Sequence, residues 1–141
     1  MMEPNAPSIA REVDTPPGVV LLNWTICLAW MSVIYYFSDV PNSYHVTGHY
    51  LGGMNYYFRK WAHMVEYGIL MVLVYRAVRS LTPGSWVAYA TALGITFFYA
   101  LLDEHHQSMV VGRSSSIGDV AVDTAGALVA LALMLIPQSS D

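Results

Sequence analysis

Charge is what this chain has least of. Only 11% of its 141 residues are charged, 6 Lys and Arg against 10 Asp and Glu, whereas 55% are hydrophobic. A soluble domain carries about a quarter charged residues, so too little charge is available to clothe a water-facing surface. The few bases and the net charge of −4 exclude the basic patch that nucleic acid requires. A single cysteine, Cys27, excludes an internal disulfide and a thiolate metal site. It sits within an apolar run and reads as a small core residue. Repeats and low-complexity tracts are absent too, and the length leaves room for one domain.

What the chain does have is long apolar runs. Residues 1–18 read as a flexible polar tail with Pro4, Pro7, Pro16 and Pro17. Val19 to Phe37 contains no charge and is long enough to cross a bilayer. The acidic tail before it, and the lack of a small-x-small cleavage site after it, separate it from a signal peptide. Asp39 to Lys60 is a Tyr- and Gly-rich connector whose tyrosines suit the headgroup zone. Three further spans follow at 61–78, 86–102 and 119–136, with a tight turn at Pro83-Gly84 and a stop at Pro137. In hydrocarbon every backbone polar group needs an internal partner, so spans are helices or closed barrels. The runs lack the two-residue alternation of barrel strands. The expected fold is therefore all-α, a domain over 19–137 built as a bundle of four transmembrane helices. Gly126, Ala130 and the alanines around them mark a close helix–helix contact in the last span.

Four spans place both termini on one side. Arg11, Arg76 and Arg79 fall on that side, and Arg59, Lys60 and Arg113 on the other. The positive-inside count is tied. If the second group is retained for a site, the remaining bias puts the termini in the cytoplasm.

The charges gather at the opposite end. Lys60, His63 and Tyr67 share a helix face at i, i+3, i+7, with Glu66 at its edge. The third span ends in Asp103-Glu104-His105-His106-Gln107, where Glu104 and Gln107 share a face. Arg113 follows, and the fourth span opens with Asp119 and Asp123, four apart on one side. Ser38 and Asp39 reach the same end from the first span. Glu66 and Asp123 lie about one turn inside the apolar runs, so they should face the bundle interior, where insertion of an ionisable group otherwise costs roughly 2.5–3.5 kcal/mol. Pairing with Arg or Lys would be a purely structural use of them. His105 reads as solvated, and Tyr35, Tyr36 and the connector tyrosines as interfacial anchors.

The segments Arg59-Lys60-Trp61-Ala62-His63-Met64-Val65-Glu66-Tyr67, Asp103-Glu104-His105-His106-Gln107, Gly112-Arg113-Ser114 and Ile117-Gly118-Asp119 resemble the VanZ-like family, as does Tyr36-Phe37-Ser38-Asp39-Val40-Pro41. The resemblance covers about residues 20 to 136. It assigns the family's pattern to Ser38, Lys60, His63, Tyr67, Glu104, Gln107, Gly112, Arg113, Ser116, Asp119 and Gly126. Asp123 departs from it, since members often carry Asn there. The resemblance implies a multi-pass protein of the bacterial inner membrane, in a family named for a protein associated with glycopeptide resistance. It specifies no reaction and no cofactor.

Three functions fit this cluster. One is an enzyme at the membrane surface acting on a lipid-linked or cell-envelope substrate. In it Lys60 and Arg113 hold a phosphate or carboxylate. His63 or Glu104 serves as general acid or base oriented by Asp119, Gln107 positions a polar group, and Ser38 and Tyr67 line the substrate. A divalent metal on His63, Glu66, Glu104, His106 and Asp119 is compatible with the composition, although no tight ligand motif demands it. The second is a non-catalytic binder of an antibiotic or cell-wall precursor. The third is a subunit of a larger membrane assembly, with protein as well as lipid partners. If Arg113 serves the site, it is expected to cross to Glu104 or Asp119 and keep part of its fork free for an anion, with Gly112 and Gly118 permitting the loop to fold back; otherwise it is an ordinary interfacial charge.

Overall fold

A computed structural model describes residues 15–41, 52–113 and 115–136. Most of the expected N-terminal tail, most of the Tyr- and Gly-rich connector, Ser114 and Pro137 lie outside the described residues. The described chain is all-helical: α1 (Pro17–Ser38), a 3-10 turn (Gly52–Met54), α2 (Asn55–Arg79), α3 (Ser85–Gln107) and α4 (Ile117–Leu135). No strand occurs among the described residues.

Each boundary has a local cause. Pro17 opens α1, where a missing amide hydrogen and a fixed φ are no handicap. That start places Pro17 and Gly18 in the helix rather than in the tail. α2 begins at Asn55, so residues 55–60 of the expected connector are helical instead. Arg76 and Arg79 occupy its last turn, where cations meet the negative end of the helix dipole. The Arg79 guanidinium then donates to the Thr82 carbonyl at 2.6 Å, closing the short turn into α3. α4 is capped by Ser116, whose hydroxyl accepts from the Asp119 amide. Its exit, Ile136, is extended (ψ 125°), as the residue before a proline should be.

Three helices, α1, α3 and α4, are long and apolar enough to cross a membrane. Their large apolar side chains point outward in numbers no water-facing surface would carry, including Leu21, Leu22, Tyr36, Trp86, Phe98 and Leu133. α2 is the exception, because Arg59, Lys60, His63 and Glu66 crowd its start. It is also the helix against which the others pack, and Tyr67, Leu70, Met71, Val74 and Ala77 form its fully buried stripe. Its polar side chains Arg59, Lys60, His63 and Glu66 are each partly buried among the other helices, whereas Trp61, Val65 and Ile69 on its other face are exposed, so polarity is tolerated on the inward face alone.

α2 and α4 run parallel and meet most closely. A Cβ on Gly126 would overlap the Met64 carbonyl, and one on Gly68 would lie 3.3 Å from the Gly126 carbonyl. The small residue at 126 is thus required by backbone contact. α1 stands apart: it packs on α2 and less on α3, with only Cys27, Ile34 and Ser38 buried.

Gly126→Ala is expected to destabilise the detergent-solubilised chain by about 1–3 kcal/mol, since the opposing group is backbone and cannot rotate away. Gly94→Ala, where a Cβ meets nothing within 4 Å, should be neutral or slightly stabilising. Thermal unfolding followed by circular dichroism measures both, and equal melting of the two variants would refute the close contact.

Candidate functional site

The parallel contact sets a ladder of polar rungs. One turn above the Met64–Gly126 approach, His63 Nδ1 lies 3.1 Å from Asp123 Oδ1. One further turn up, Lys60 forms an ion pair with Asp119. Asp119 also accepts from the Ser116 hydroxyl at 3.1 Å, which fixes it at the helix start. Lys60 lies 5.4 Å over the Tyr56 ring.

α3 supplies the third wall. Gln107 donates to Asp103 Oδ2 at 2.9 Å and to the Ser38 hydroxyl at 3.2 Å, linking α3 to the end of α1. Glu104 accepts from the Ser116 amide at 2.9 Å, so this buried carboxylate suspends the loop that leads into α4. At the rim, His106 packs against Tyr35 with ring centroids 4.6 Å apart and the planes tilted by 30°, and it lies 3.1 Å from Asp39.

Arg113 reaches none of the expected carboxylates by hydrogen bond. Its Nη1 instead donates to the Phe37 and Ser38 carbonyls at 2.7 and 2.8 Å. Those groups are unsatisfied at the end of α1, and a cation there also meets the negative pole of the helix. Gly112, at φ 77°, makes the reversal that aims the side chain this way. Burial, with Arg59 beside it, pulls the Arg113 pKa down, and Asp103, Glu104 and Glu66 pull back up. Arginine remains charged throughout.

These elements enclose a cavity of about 330 Å³ with Arg59, Lys60 and Arg113 in its wall, alongside Tyr56, His63, Gln107, Gly112 and Asp119. A neighbouring cavity of about 300 Å³ shares Arg59, His63 and Arg113 with it. The second is walled by Phe37, Ser38, Phe58, Ala62 and Glu66 of α1 and α2, with Phe37 and Phe58 exposed.

Of the residues singled out from sequence, Lys60, His63, Gln107, Arg113 and Asp119 line the first cavity and Ser38 the second. Glu104 and Tyr67 line neither. Glu104 is turned to the α4 entry loop, and Tyr67, one turn deeper than His63, is wholly buried. Asp123 is fully buried, as its position one turn inside the span requires, while Glu66 is half-buried at the second cavity. His105 is exposed. The donors envisaged for a metal do not assemble: Glu104, His106 and Asp119 are engaged elsewhere. The set that does come together is His63, Asp103 and Asp123, with one ligand atom of each within 4.8 Å of the others. Asp103 and Tyr56 carry no site role in the sequence reading, and Arg59 enters it only as one of the charges retained for a site. Asp103 had a signal, since i, i+4 places it with Gln107 as surely as i, i+3 places Glu104.

An all-helical membrane protein with a cationic cavity at one end of the bundle is the class that this fold and site define. The chain belongs to the VanZ/LLP1 family, whose model matches residues 21–138. No curated protein and no solved structure matches it.

Arg113→Ala should cost about 1–2 kcal/mol by uncapping α1, and Arg113→Lys less, because an ammonium still offers a donor. Thermal unfolding in detergent tests this. Unchanged melting of Arg113→Ala would mean that α1 is held by packing alone.

Proposed function

We propose that this protein binds the anionic headgroup of a lipid-linked cell-envelope molecule at one face of the bacterial inner membrane. The observation that carries the reading is the pairing of the two cavities. Three cationic side chains, Arg59, Lys60 and Arg113, line a polar chamber sized for a phosphate-bearing headgroup. The adjoining chamber has Phe37, Phe58 and Ala62 of α1 and α2 in its walls, and the exposed rings of Phe37 and Phe58 offer the side by which a hydrocarbon chain would leave into lipid. Cations converging in a partly dehydrated cleft attract phosphate or carboxylate strongly.

The membrane frame belongs to the same proposal. α2 has 25 residues, which at about 1.5 Å rise per residue exceeds the roughly 30 Å hydrocarbon core. Its polar first turns face the cavity, so we read it as a fourth span. The termini then lie in the cytoplasm and the site faces outward, where envelope precursors and glycopeptides meet. Resistance to such an antibiotic would follow from sequestering or altering the precursor.

A second reading, turnover of the bound molecule, is favoured by His63, which borders both cavities and is held by buried Asp123. An imidazole oriented by a carboxylate is equipped to carry a proton. On this reading His63→Gln abolishes product formation and leaves ligand retention intact. Loss of both together would make His63 a binding group.

Native mass spectrometry of the full chain in mild detergent, with polyprenyl phosphate or phosphatidylglycerol added, tests the main reading. Arg59→Ala and Lys60→Ala should each weaken retention about ten-fold, the equivalent of one charge-assisted hydrogen bond. Arg76→Ala, at the far end of α2, should leave it unchanged. Equal retention of a neutral lipid, or indifference to Arg59 and Lys60, would sink the proposal.

A further inference from the structure

Below the cavity floor lies a group of side chains that anion binding does not use. Asp103 and Asp123 are 4% and 0% exposed, and they face each other from α3 and α4 with His63 of α2 between them. Each carboxylate has one oxygen engaged, Asp123 Oδ1 by His63 and Asp103 Oδ2 by Gln107. The other two, Asp123 Oδ2 and Asp103 Oδ1, are buried and without a hydrogen-bond partner. The hydroxyl of fully buried Tyr67 stands at the margin of hydrogen-bonding distance from Asp103 and within electrostatic reach of both carboxylates, without a bond of ordinary length to either.

Such an arrangement is costly as it stands. Buried carboxylates with unfilled lone pairs repel one another and lose their hydration. The hydrogen bonds and ion pairs found for Lys60 and Arg113 lead elsewhere, to Asp119 and to the α1 carbonyls. A dication would supply the missing charge and occupy the idle oxygens at once. The donors also fit one. One imidazole nitrogen with two carboxylates suits a first-row transition ion, whereas magnesium and calcium favour oxygen alone. Bonds of about 2.0–2.2 Å separate opposing ligand atoms by at most about 4.4 Å, so the observed spread closes by small side-chain rotations. Gln107, held by Ser38, orients Asp103 as an outer partner of a ligand commonly does. His63 borders the cavity, which gives the ion a path in.

We propose that His63, Asp103 and Asp123 bind a divalent first-row transition-metal ion inside the bundle, with the Tyr67 hydroxyl beside it. The site does not rest on the anionic-headgroup reading, because its ligands are distinct from the three cations and it fills whether or not a lipid is bound. Metal on His63 excludes a proton-carrying role for that ring.

The untagged full chain, stripped with chelator in mild detergent, is titrated with Mn²⁺ and with Zn²⁺ alone, by calorimetry and elemental analysis. About one ion per chain is expected, the stoichiometry of a single built site. Asp103→Asn, Asp123→Asn and His63→Gln should each weaken binding by at least about ten-fold, the loss seen when even an outer partner is removed. His105→Gln, on the exposed surface, should bind as the unmodified chain does. Where a variant fails to fold, electron spin echo on the Mn²⁺-loaded unmodified chain decides, since an imidazole ligand shows as a nitrogen coupling. Failure to bind either ion, binding that survives both asparagine variants, or bound Mn²⁺ without nitrogen coupling overturns the site.

Discussion

Backbone contact between α2 and α4 sets the spacing of everything above it. Gly126 lies against the Met64 carbonyl with no room for a Cβ, and two parallel helices that touch there must present their preceding turns to each other. Asp123 and Asp119 precede Gly126 on one face, and His63 and Lys60 precede Met64 on the facing one. Their separations follow from helical geometry once the contact is made. A methyl group at position 126 would therefore act first on packing and then on the ion pair and the imidazole–carboxylate bond, none of which it touches.

That coupling explains how a sparsely charged chain sustains so dense a polar end. Lipid punishes an exposed charge, but these groups are shielded by α1, α3 and α4, whose outer faces carry the apolar surface. The division of labour runs through the helices: α2 is polar where it is enclosed, and its neighbours are apolar where they are not. Two of the three cations also have a structural task beside the ligand role proposed for them. Lys60 ties α2 to α4 and Arg113 finishes α1, so the chamber is assembled by the same groups that would meet an anion.

Much of this was legible in sequence because lipid imposes simple periodicities. The uncharged run 19–37 and the fourth span read directly as helices, and the i, i+3, i+7 spacing of Lys60, His63 and Tyr67 identified the inward face of α2. Its start did not. Tyr56-Tyr57-Phe58 has the composition of an interfacial loop, and nothing local distinguishes it from a helical first turn. Two side chains were given the wrong partners for a common reason. Arg113 bonds backbone carbonyls of α1, and Glu104 accepts from the backbone of Ser116. Main-chain groups have no residue letter, so a reading that matches acids to bases cannot see them. Asp103 was overlooked because its neighbour Glu104 offered an equally good spacing.

Apart from the Gln107 bond to the Ser38 hydroxyl and the His106–Asp39 contact at its very end, the attachment of α1 rests on the same anonymity. Tyr99 donates to the Met31 carbonyl and Arg113 to those of Phe37 and Ser38, while Trp30 of α1 donates to the Glu66 carbonyl. Three of these four bonds would survive replacement of the α1 residue involved by almost any other, because what they grip is common to all amino acids. With three side chains buried, α1 is under little obligation to the rest of the bundle as to what it is made of. Its outward surface can drift with the thickness and composition of the host bilayer while the grip is kept. Substitution there should be cheap, and the helices that do the gripping should bear the restraint.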